Sequence, residues 1–502
     1  MSEFPTFLTL ILALPVVGFL IVLLTPRKNE DFIRWVSLIF STLTFVVSLF
    51  LLSADFTHNS GMQWAGRVDW IPSAGISYAL GVDGISILLV LLTTLITPVA
   101  ILSSWTAITD RVKEYYAFML ILETGMIGVF VALDLFLFYI FWEFTLVPMY
   151  FLIGIWGGEH RTYAAVKFFL YTMAGSLLML LAILYLGITG GTFYLPDLIG
   201  LDIPTQTARW LFLAFAIAFA IKVPVWPLHS WLPDAHTEAP TAGSIILAAI
   251  LLKMGTYGFV RFNLPLFPEA SAFFAPYIAT LAVIGIIYGA WVSYAQTDVK
   301  RLVAFSSVSH LGFVMLGIFS LNAIGLQGAI LQMINHGLST GALFLLVGML
   351  YERRHTRQFS AFGGIWRVMP VYGAIMLIVT LSSMGLPGLN GFVGEFTILM
   401  GSFNSAALGA RPWIFTAFAA SGVILAAIYL LWMFQRVFLG PLDKEENKKL
   451  KDVNLREVLC ALPLLLFIFW IGLYAQPFFS LMAPSVQALL DAIPAVASAL
   501  PF

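Results

Sequence analysis

Charged residues are scarce in this sequence. Only 10% of the 502 residues are charged while 60% are hydrophobic, whereas a soluble protein carries roughly 25% charged residues. Apolar runs long enough to cross a bilayer recur along the whole chain. The composition therefore excludes an ordinary soluble domain and predicts an all-α polytopic membrane protein. The net charge of −1 gives no indication of nucleic-acid binding.

Cysteine is almost absent, because Cys460 is the single one in the chain. One cysteine excludes an internal disulfide framework and a four-cysteine zinc site. It also excludes an iron–sulfur cluster held by this chain alone. We therefore expect no cofactor and no metal in this chain.

The hydrophobic pattern predicts about fourteen spans. The first has acidic sequence before it and basic sequence after it, the reverse of a cleavable signal peptide. Span seven is predicted to break at Pro224 and Pro227, and span twelve around GLPGLNG at 385–391. The spans lie at about 6–24, 32–52, 84–105, 115–132, 134–155, 166–187, 208–232, 241–262, 274–296, 301–320, 323–350, 371–405, 414–438 and 457–478.

Lysine and arginine are distributed unevenly between the loops. Nineteen of the 25 follow odd-numbered spans and four follow even-numbered spans. This bias predicts that the odd loops, including the basic segment 443–452, face the cytoplasm and that both termini face the periplasmic side.

The two broken spans are five spans apart, which predicts two inverted five-helix repeats. The first repeat would comprise helices 4–8 (111–265) and the second helices 9–13 (266–440). Helices 1–3 (1–110) would precede them, and the basic loop with helix 14 (441–502) would follow.

Ionisable residues inside predicted spans are costly to bury and indicate function. Lys222 stands where a half-helix ends, and Glu395 stands just after the second break, so each meets the end of the helix dipole that suits its charge. If Glu143 approaches and leaves Lys222, their distance would determine whether the lysine holds a proton. The candidate relay residues are Glu143, Lys222, Lys253, His310, His336 and Glu395.

Structural alternatives exist for each of these residues. Glu143 and Lys222 could have the structural role of holding two helices together and no other role. Lys253 could extend to the membrane surface, and the two histidines could be ordinary core residues. Auxiliary candidates are Glu123, Asp134, His229, Asp234 and His236. The last three, with Glu238, match no metal-ligand spacing, and we interpret that proline-rich loop as a hydrated vestibule.

Four stretches carry a family resemblance. KVPVWPLHSWLPDAHTEAPTAGSIILAAILLKMGTYGFVRF resembles the antiporter-like subunits of respiratory complex I, which the Mrp cation/proton antiporters share. FWEFTLVPMYFLIGIWGG, DVKRLVAFSSVSHLGFVMLG and GLPGLNGFVGEF are similar to the type called subunit M in bacteria and chain 4 in mitochondria. A glutamate at position 395, where most relatives have lysine, is typical of this type and argues against an Mrp subunit. The absence of a long lateral helix after span fourteen argues against the L type.

The resemblance implies a fourteen-helix fold with inverted repeats and a half-channel in each. It pairs Glu143 with Lys222, places Lys253 at the centre with His310 and His336 as connections, and makes Glu395 the terminal site. It implies a proton-translocating subunit of NADH:quinone oxidoreductase in the bacterial inner membrane. Flavin, iron–sulfur clusters and quinone would belong to partner subunits, and this chain would have no redox site.

The expected partners are the other membrane subunits of complex I, including neighbouring antiporter-like chains, and the lipid bilayer. Two other functions remain open. The first is an Mrp-type cation/proton antiporter subunit or a hydrogenase-linked relative, and the second is a structural spacer of the membrane arm.

Overall fold

The computed structural model describes residues 4–493 and is mostly helical, as predicted. The last part of the predicted fourth region, 494–502, lies outside the described residues. The first elements are α1 (Thr6–Leu24), α2 (Glu30–Leu49), β1 (Gln63–Ile71), β2 (Ile76–Val82), α3 (Ser86–Ser103), α4 (Val112–Val131), α5 (Leu135–Trp156) and α6 (Arg161–Gly190).

The chain continues through the two broken regions to its last helix. The elements are α7 (Thr205–Lys222), α8 (Trp231–Glu238), α9 (Thr241–Leu266), α10 (Pro268–Tyr294), α11 (Val299–Phe319), α12 (Ala323–Arg354), α13 (Pro370–Ser383), α14 (Asn390–Phe403), α15 (Pro412–Phe438), α16 (Leu455–Leu473) and α17 (Gln476–Asp491). Part of the predicted span 457–478 belongs to α17, a helix that the sequence analysis does not predict.

Within residues 4–493, twelve helices are long and apolar enough to cross a membrane. The two other predicted spans are the ones that the structure divides, into α7 and α8 and into α13 and α14. Proline lacks the N–H that an α-helix requires, and Pro224 and Pro227 fall in the first gap. In the second gap Gly385 and Gly388 have φ of +81° and +94°, which favours glycine.

A β-hairpin of β1 and β2 precedes α3, and the sequence analysis does not predict it. The strands are antiparallel, and Gly75 at the turn has a φ of +70°. Backbone bonds connect the hairpin to the chain after α4 (Leu133 N to Ala79 O, 2.9 Å) and after α6 (Phe193 N to Gly75 O, 3.1 Å). We call this end of the molecule the hairpin side.

The loops at the other end contact one another, and this end is called the basic-loop side after residues 443–452. Backbone bonds join Gly158 N to Glu238 O (2.9 Å) and Gly364 N to Leu439 O (3.0 Å). Arg353 forms two hydrogen bonds with Glu457, at 2.6 and 2.7 Å. These loops are the ones that follow the odd-numbered predicted spans, so the alternation of loops in the fold matches the lysine and arginine pattern.

The most buried helices are α9, α11 and α12. Their apolar windows are 100% buried, compared with 33% for α1 and α2. A helix that is buried all round presents no face to lipid, so polar side chains on these three helices contact other helices. Two π-helical turns, Leu247–Leu251 and Phe259–Asn263, interrupt α9, a form that is common at functional sites.

Candidate functional site

Lys222 ends α7 and is buried, with 2% of its surface exposed. Its Nζ lies 5.3 Å from the ring centroid of Trp142 and 5.7 Å from that of Phe168. Aromatic faces attract a cation at such distances, more strongly when the cation is shielded from water. The two rings therefore stabilise the ammonium group.

Glu143 lies on α5 next to Trp142, the residue whose ring faces Lys222 Nζ. No ion pair within 4.0 Å joins the two side chains, both of which the structure describes. Glu143 Oε1 is buried and has no hydrogen-bond partner among residues 4–493. The structure thus shows Lys222 Nζ beside two aromatic rings and without an ion pair to the Glu143 carboxylate.

Lys253 lies on α9, two residues after the end of the first π turn, and is fully buried, with 0% exposure. Its Nζ donates to Ala248 O at 2.5 Å and contacts His336 Nδ1 at 2.5 Å. The alternative in which this side chain extends to the membrane surface therefore does not fit the structure. Lys253 is instead joined to a histidine on α12.

His336 and His310 form the next step, with ring centroids 6.0 Å apart. Both line a polar cavity of about 10 Å³, which is room for about one water. His336 Nε2 has no hydrogen-bond partner in the described part of the chain. The other lining residues are Gln332, Asn335, Ser339, Thr340, Ser382, Ser383 and Gly391. A water here would bond to His336 Nε2 and lie beside the His310 ring.

Glu395 is at the far end, on α14, with 2% of its surface exposed. Its Oε1 lies 2.7 Å from His310 Nδ1 and accepts a hydrogen bond from Gln332 Nε2 at 3.2 Å. Tyr429 OH lies 3.2 Å from the other ring nitrogen of His310. Because it is uncharged, Tyr429 gives no signal in the sequence, and the sequence analysis missed it as it missed Trp142 and Phe168.

We call Lys253, His336, His310 and Glu395 the central row. Its members come from four helices and lie side by side in the most buried part of the fold. A chain of neighbouring titratable groups with room for a water can transfer a proton in steps, since each group can bind and release one.

None of the five auxiliary candidates belongs to the row. Glu123 on α4 is fully buried, and neither of its carboxylate oxygens has a hydrogen-bond partner among the described residues. Asp134 instead caps α5, because its side chain accepts from Phe136 N (2.9 Å) and Leu137 N (3.1 Å). Asp134 also accepts from the backbone and hydroxyl of Ser77 in the hairpin, each at 2.9 Å. Its contacts are those of a structural residue.

The polar residues of α8 and its preceding loop have separate partners. Asp234 forms ion pairs with Lys167 (2.7 Å) and Arg301 (3.3 Å). His229 packs edge-on against Tyr288, with ring centroids 5.0 Å apart.

His236 stacks on Phe344 at 4.4 Å, and no residue in 4–493 hydrogen-bonds to its ring nitrogens. Glu238 accepts from His160 N at 2.9 Å. Over the described residues, no group of three or more His, Cys, Asp or Glu side chains is arranged to hold a metal ion.

Residues 132–425 match the family described as NADH:quinone oxidoreductase/Mrp antiporter, TM. The match covers more than half of the chain and includes the whole central row. The chain belongs to this family. With its long apolar helices, it is a multi-pass membrane protein.

Curated relatives of this family match nearly the whole chain. NADH-quinone oxidoreductase subunit M of Rhodobacter capsulatus is 47% identical over 91% of this chain and 90% of the relative. NADH-ubiquinone oxidoreductase chain 4 of Arabidopsis thaliana is 44% identical over 95% of each chain.

Two solved structures show the same fold. A chain of respiratory complex I from Thermus thermophilus with bound NADH matches with a TM-score of 0.87 and 35% identity, covering 97% of this chain and 100% of that one. A chain of the Mrp complex from Dietzia sp. matches with a TM-score of 0.81 and 25% identity, covering 97% of this chain and 52% of that one.

Proposed function

We propose that this chain is the proton-translocating, antiporter-like subunit of the membrane arm of NADH:quinone oxidoreductase, of the type called subunit M in bacteria and chain 4 in mitochondria. The main support is the central row, four buried titratable side chains in contact or one water apart. The names of relatives that match nearly the full length support the choice of complex.

The proposed path begins on the basic-loop side near the break between α7 and α8. A proton passes Lys222 and Lys253, then His336, the cavity water and His310, and reaches Glu395. The distance between Glu143 and Lys222 sets whether Lys222 holds a proton, and neighbouring subunits drive that distance. Moving one charge against 100 mV costs about 2.3 kcal/mol. The change in the distance between Glu143 and Lys222 therefore has to alter the free energy of the proton on Lys222 by an amount of that order.

Redox chemistry belongs to other chains in this proposal. Flavin, iron–sulfur clusters and quinone would lie in partner subunits, consistent with the single cysteine. The chain would sit in the bacterial inner membrane with both termini on the periplasmic side, beside other antiporter-like subunits. The two broken regions would mark two inverted repeats, 111–265 and 266–440.

An Mrp-type cation/proton antiporter subunit is the second candidate. The shared family and the fold of the Dietzia chain favour it. The identity to the complex I relative is higher, 47% against 25%, and residue 395 is a glutamate, which is typical of the M type. These two observations favour complex I.

The decisive test uses the reconstituted complex with Lys222→Met and, separately, Glu143→Gln. We expect both complexes to assemble and to lose NADH-driven proton pumping, measured as quenching of a pH-sensitive dye in vesicles. Lys28→Met, an exposed lysine near the start of α2, is the matched control and should pump normally. Full pumping by both variants would refute the mechanism and favour a structural spacer, and Na⁺-dependent proton movement without an NADH-oxidising partner would favour the antiporter.

A further inference from the structure

A buried ion pair lies on the hairpin side of Lys253. Arg261 lies eight residues beyond Lys253 on α9, about 12 Å along a helix. Its Nη2 donates to Asp83 Oδ1 at 2.6 Å, and the two side chains are 10% and 4% exposed. Neither residue belongs to the central row.

Both members of this pair make further hydrogen bonds. Asp83 Oδ1 also accepts from Ile85 N (3.1 Å) and Ser86 N (2.9 Å) at the start of α3. Arg261 Nε donates to Tyr257 OH at 3.1 Å, and Tyr257 OH in turn donates to Phe130 O at 3.0 Å. The ion pair thus joins the hairpin-side ends of α3, α4 and α9.

The surroundings of the pair are aromatic. Tyr257 packs on Phe130 with ring centroids 5.2 Å apart, and Phe138 packs on Phe262 at 4.2 Å. Close packing of this kind leaves little room for water. Tyr257 and Arg261 follow Lys253 by four and eight residues on the same helix, so the pair stands between Lys253 and the hairpin side.

The residues on the hairpin side of Glu395 differ from those on the hairpin side of Lys253. Ser402 lies seven residues beyond Glu395 on α14, where its hydroxyl bonds to that of Thr416 at 2.8 Å. Asn322 Nδ2 donates to Gly401 O at 2.7 Å in the same region. Small and neutral polar groups therefore line the hairpin side of Glu395, whereas a charged pair in aromatic packing lies on the hairpin side of Lys253.

We propose that Arg261 closes the Lys253 end of the row to protons on the hairpin side, by holding the Asp83 carboxylate in an ion pair and so removing it as a proton acceptor. The proposal rests on the proton-translocating function proposed above. A guanidinium group does not release its proton in proteins. Pairing with a cation and hydrogen bonding both favour the ionised form of a carboxylate over the protonated form. Without the guanidinium, Asp83 would be an uncompensated buried charge that binds a proton readily. Protons at Lys253 would then leak out without reaching Glu395.

The test is the passive proton leak of vesicles that contain the complete complex, followed as the collapse of an imposed pH gradient without NADH. Arg261→Met is expected to leak several-fold faster than wild type. Asp83→Asn and the double variant Arg261→Met with Asp83→Asn are expected to leak at the wild-type rate, because neither has a carboxylate to accept the proton. Arg209→Met is the control, since Arg209 lies near the hairpin side and stacks on Phe273 at 3.9 Å, away from the row.

Two results would overturn the proposal: an assembled Arg261→Met complex with the wild-type leak, or a double variant that leaks as fast as Arg261→Met. If the Arg261→Met complex does not assemble, Arg261→Gln takes its place. Glutamine keeps a hydrogen-bond donor for Asp83 but carries no charge, so the same several-fold faster leak is expected. The leak is measured without turnover, so this outcome is separate from a failure of the proposed function, which would show as normal pumping in Lys222→Met.

Discussion

At the scale of single residues, the buried side chains of Lys222, Lys253 and Glu395 contact aromatic rings, a carbonyl, imidazoles and an amide. None of the three forms a lysine–carboxylate ion pair. Lys222 is held by aromatic rings, and Lys253 by a carbonyl and an imidazole. Glu395 meets an imidazole and an amide. A tight lysine–carboxylate pair would hold its proton firmly, and none of these contacts is such a pair, which supports the proposed relay.

The aromatic contacts of Lys222 give a first prediction. Trp142→Leu removes a ring worth about 0.5–2 kcal/mol to a cation, so we expect slower NADH-driven pumping in an assembled complex. Trp142→Phe keeps an aromatic face and should have a smaller effect. Phe144→Leu, two residues away and 40% exposed, is the control. Unchanged pumping in Trp142→Leu would show that the rings do not support the charged lysine.

Tyr429 gives a second prediction. Tyr429→Phe removes the hydroxyl beside His310 Nε2 and one hydrogen bond of about 1 kcal/mol. We expect a reduced pumping rate with normal assembly and an unchanged rate of passive leak. Tyr372→Phe is a matched control, because Tyr372 is also buried but donates to Leu346 O, outside the row. Equal rates in the two variants would exclude a role for the Tyr429 hydroxyl.

At the scale of elements, half-helices need their ends satisfied by other parts of the chain. Asp452 in the basic loop accepts from Val371 N at 2.8 Å and from Tyr372 N at 2.9 Å. These N–H groups lie in the first turn of α13, where a helix has no internal acceptors. A loop far away in sequence therefore caps the first half of the second broken region.

This cap gives a third prediction. Asp452→Ala should lower the stability of the complex by about 0.5–2 kcal/mol, the usual cost of losing an N-cap. The measurement is the thermal midpoint of the purified complex. Asp443→Ala, in the same loop and exposed, should leave the midpoint unchanged. If both variants melt alike, the loop does not stabilise α13.

At the scale of the whole molecule, the loops separate into a hairpin side and a basic-loop side. The lysine and arginine bias supports our proposal that the basic-loop side faces the cytoplasm. Neighbouring helices alternate in direction between the two sides, so the orientation of one loop fixes that of all the others.

Sidedness gives a fourth prediction. A cysteine at Lys448 should react with a membrane-impermeant maleimide in inverted vesicles but not in intact spheroplasts. A cysteine at Asn59, in the exposed segment before the hairpin, should show the opposite pattern. Cys460 is buried and should stay unlabelled in both preparations. The reverse pattern at Lys448 and Asn59 would invert the proposed topology.

The long apolar spans, both broken regions and the charged candidates for the relay could be predicted from the sequence alone. The bilayer imposes these features locally, because it requires apolar runs of a set length and makes breaks and charges costly. The β-hairpin and α17 were not predicted from the sequence, because the bilayer imposes no such constraint on their segments.

Which side chains contact one another could not be predicted and is known from the three-dimensional fold. Lys253 and His336 are 83 positions apart, and His310 and Glu395 are 85 apart. Such contacts depend on how each helix is rotated and packed against its neighbours, which apolar sequence barely encodes. For the same reason Asp134, although charged and near a span, proved to be a helix cap, while the uncharged Trp142 and Tyr429 proved to contact the relay residues.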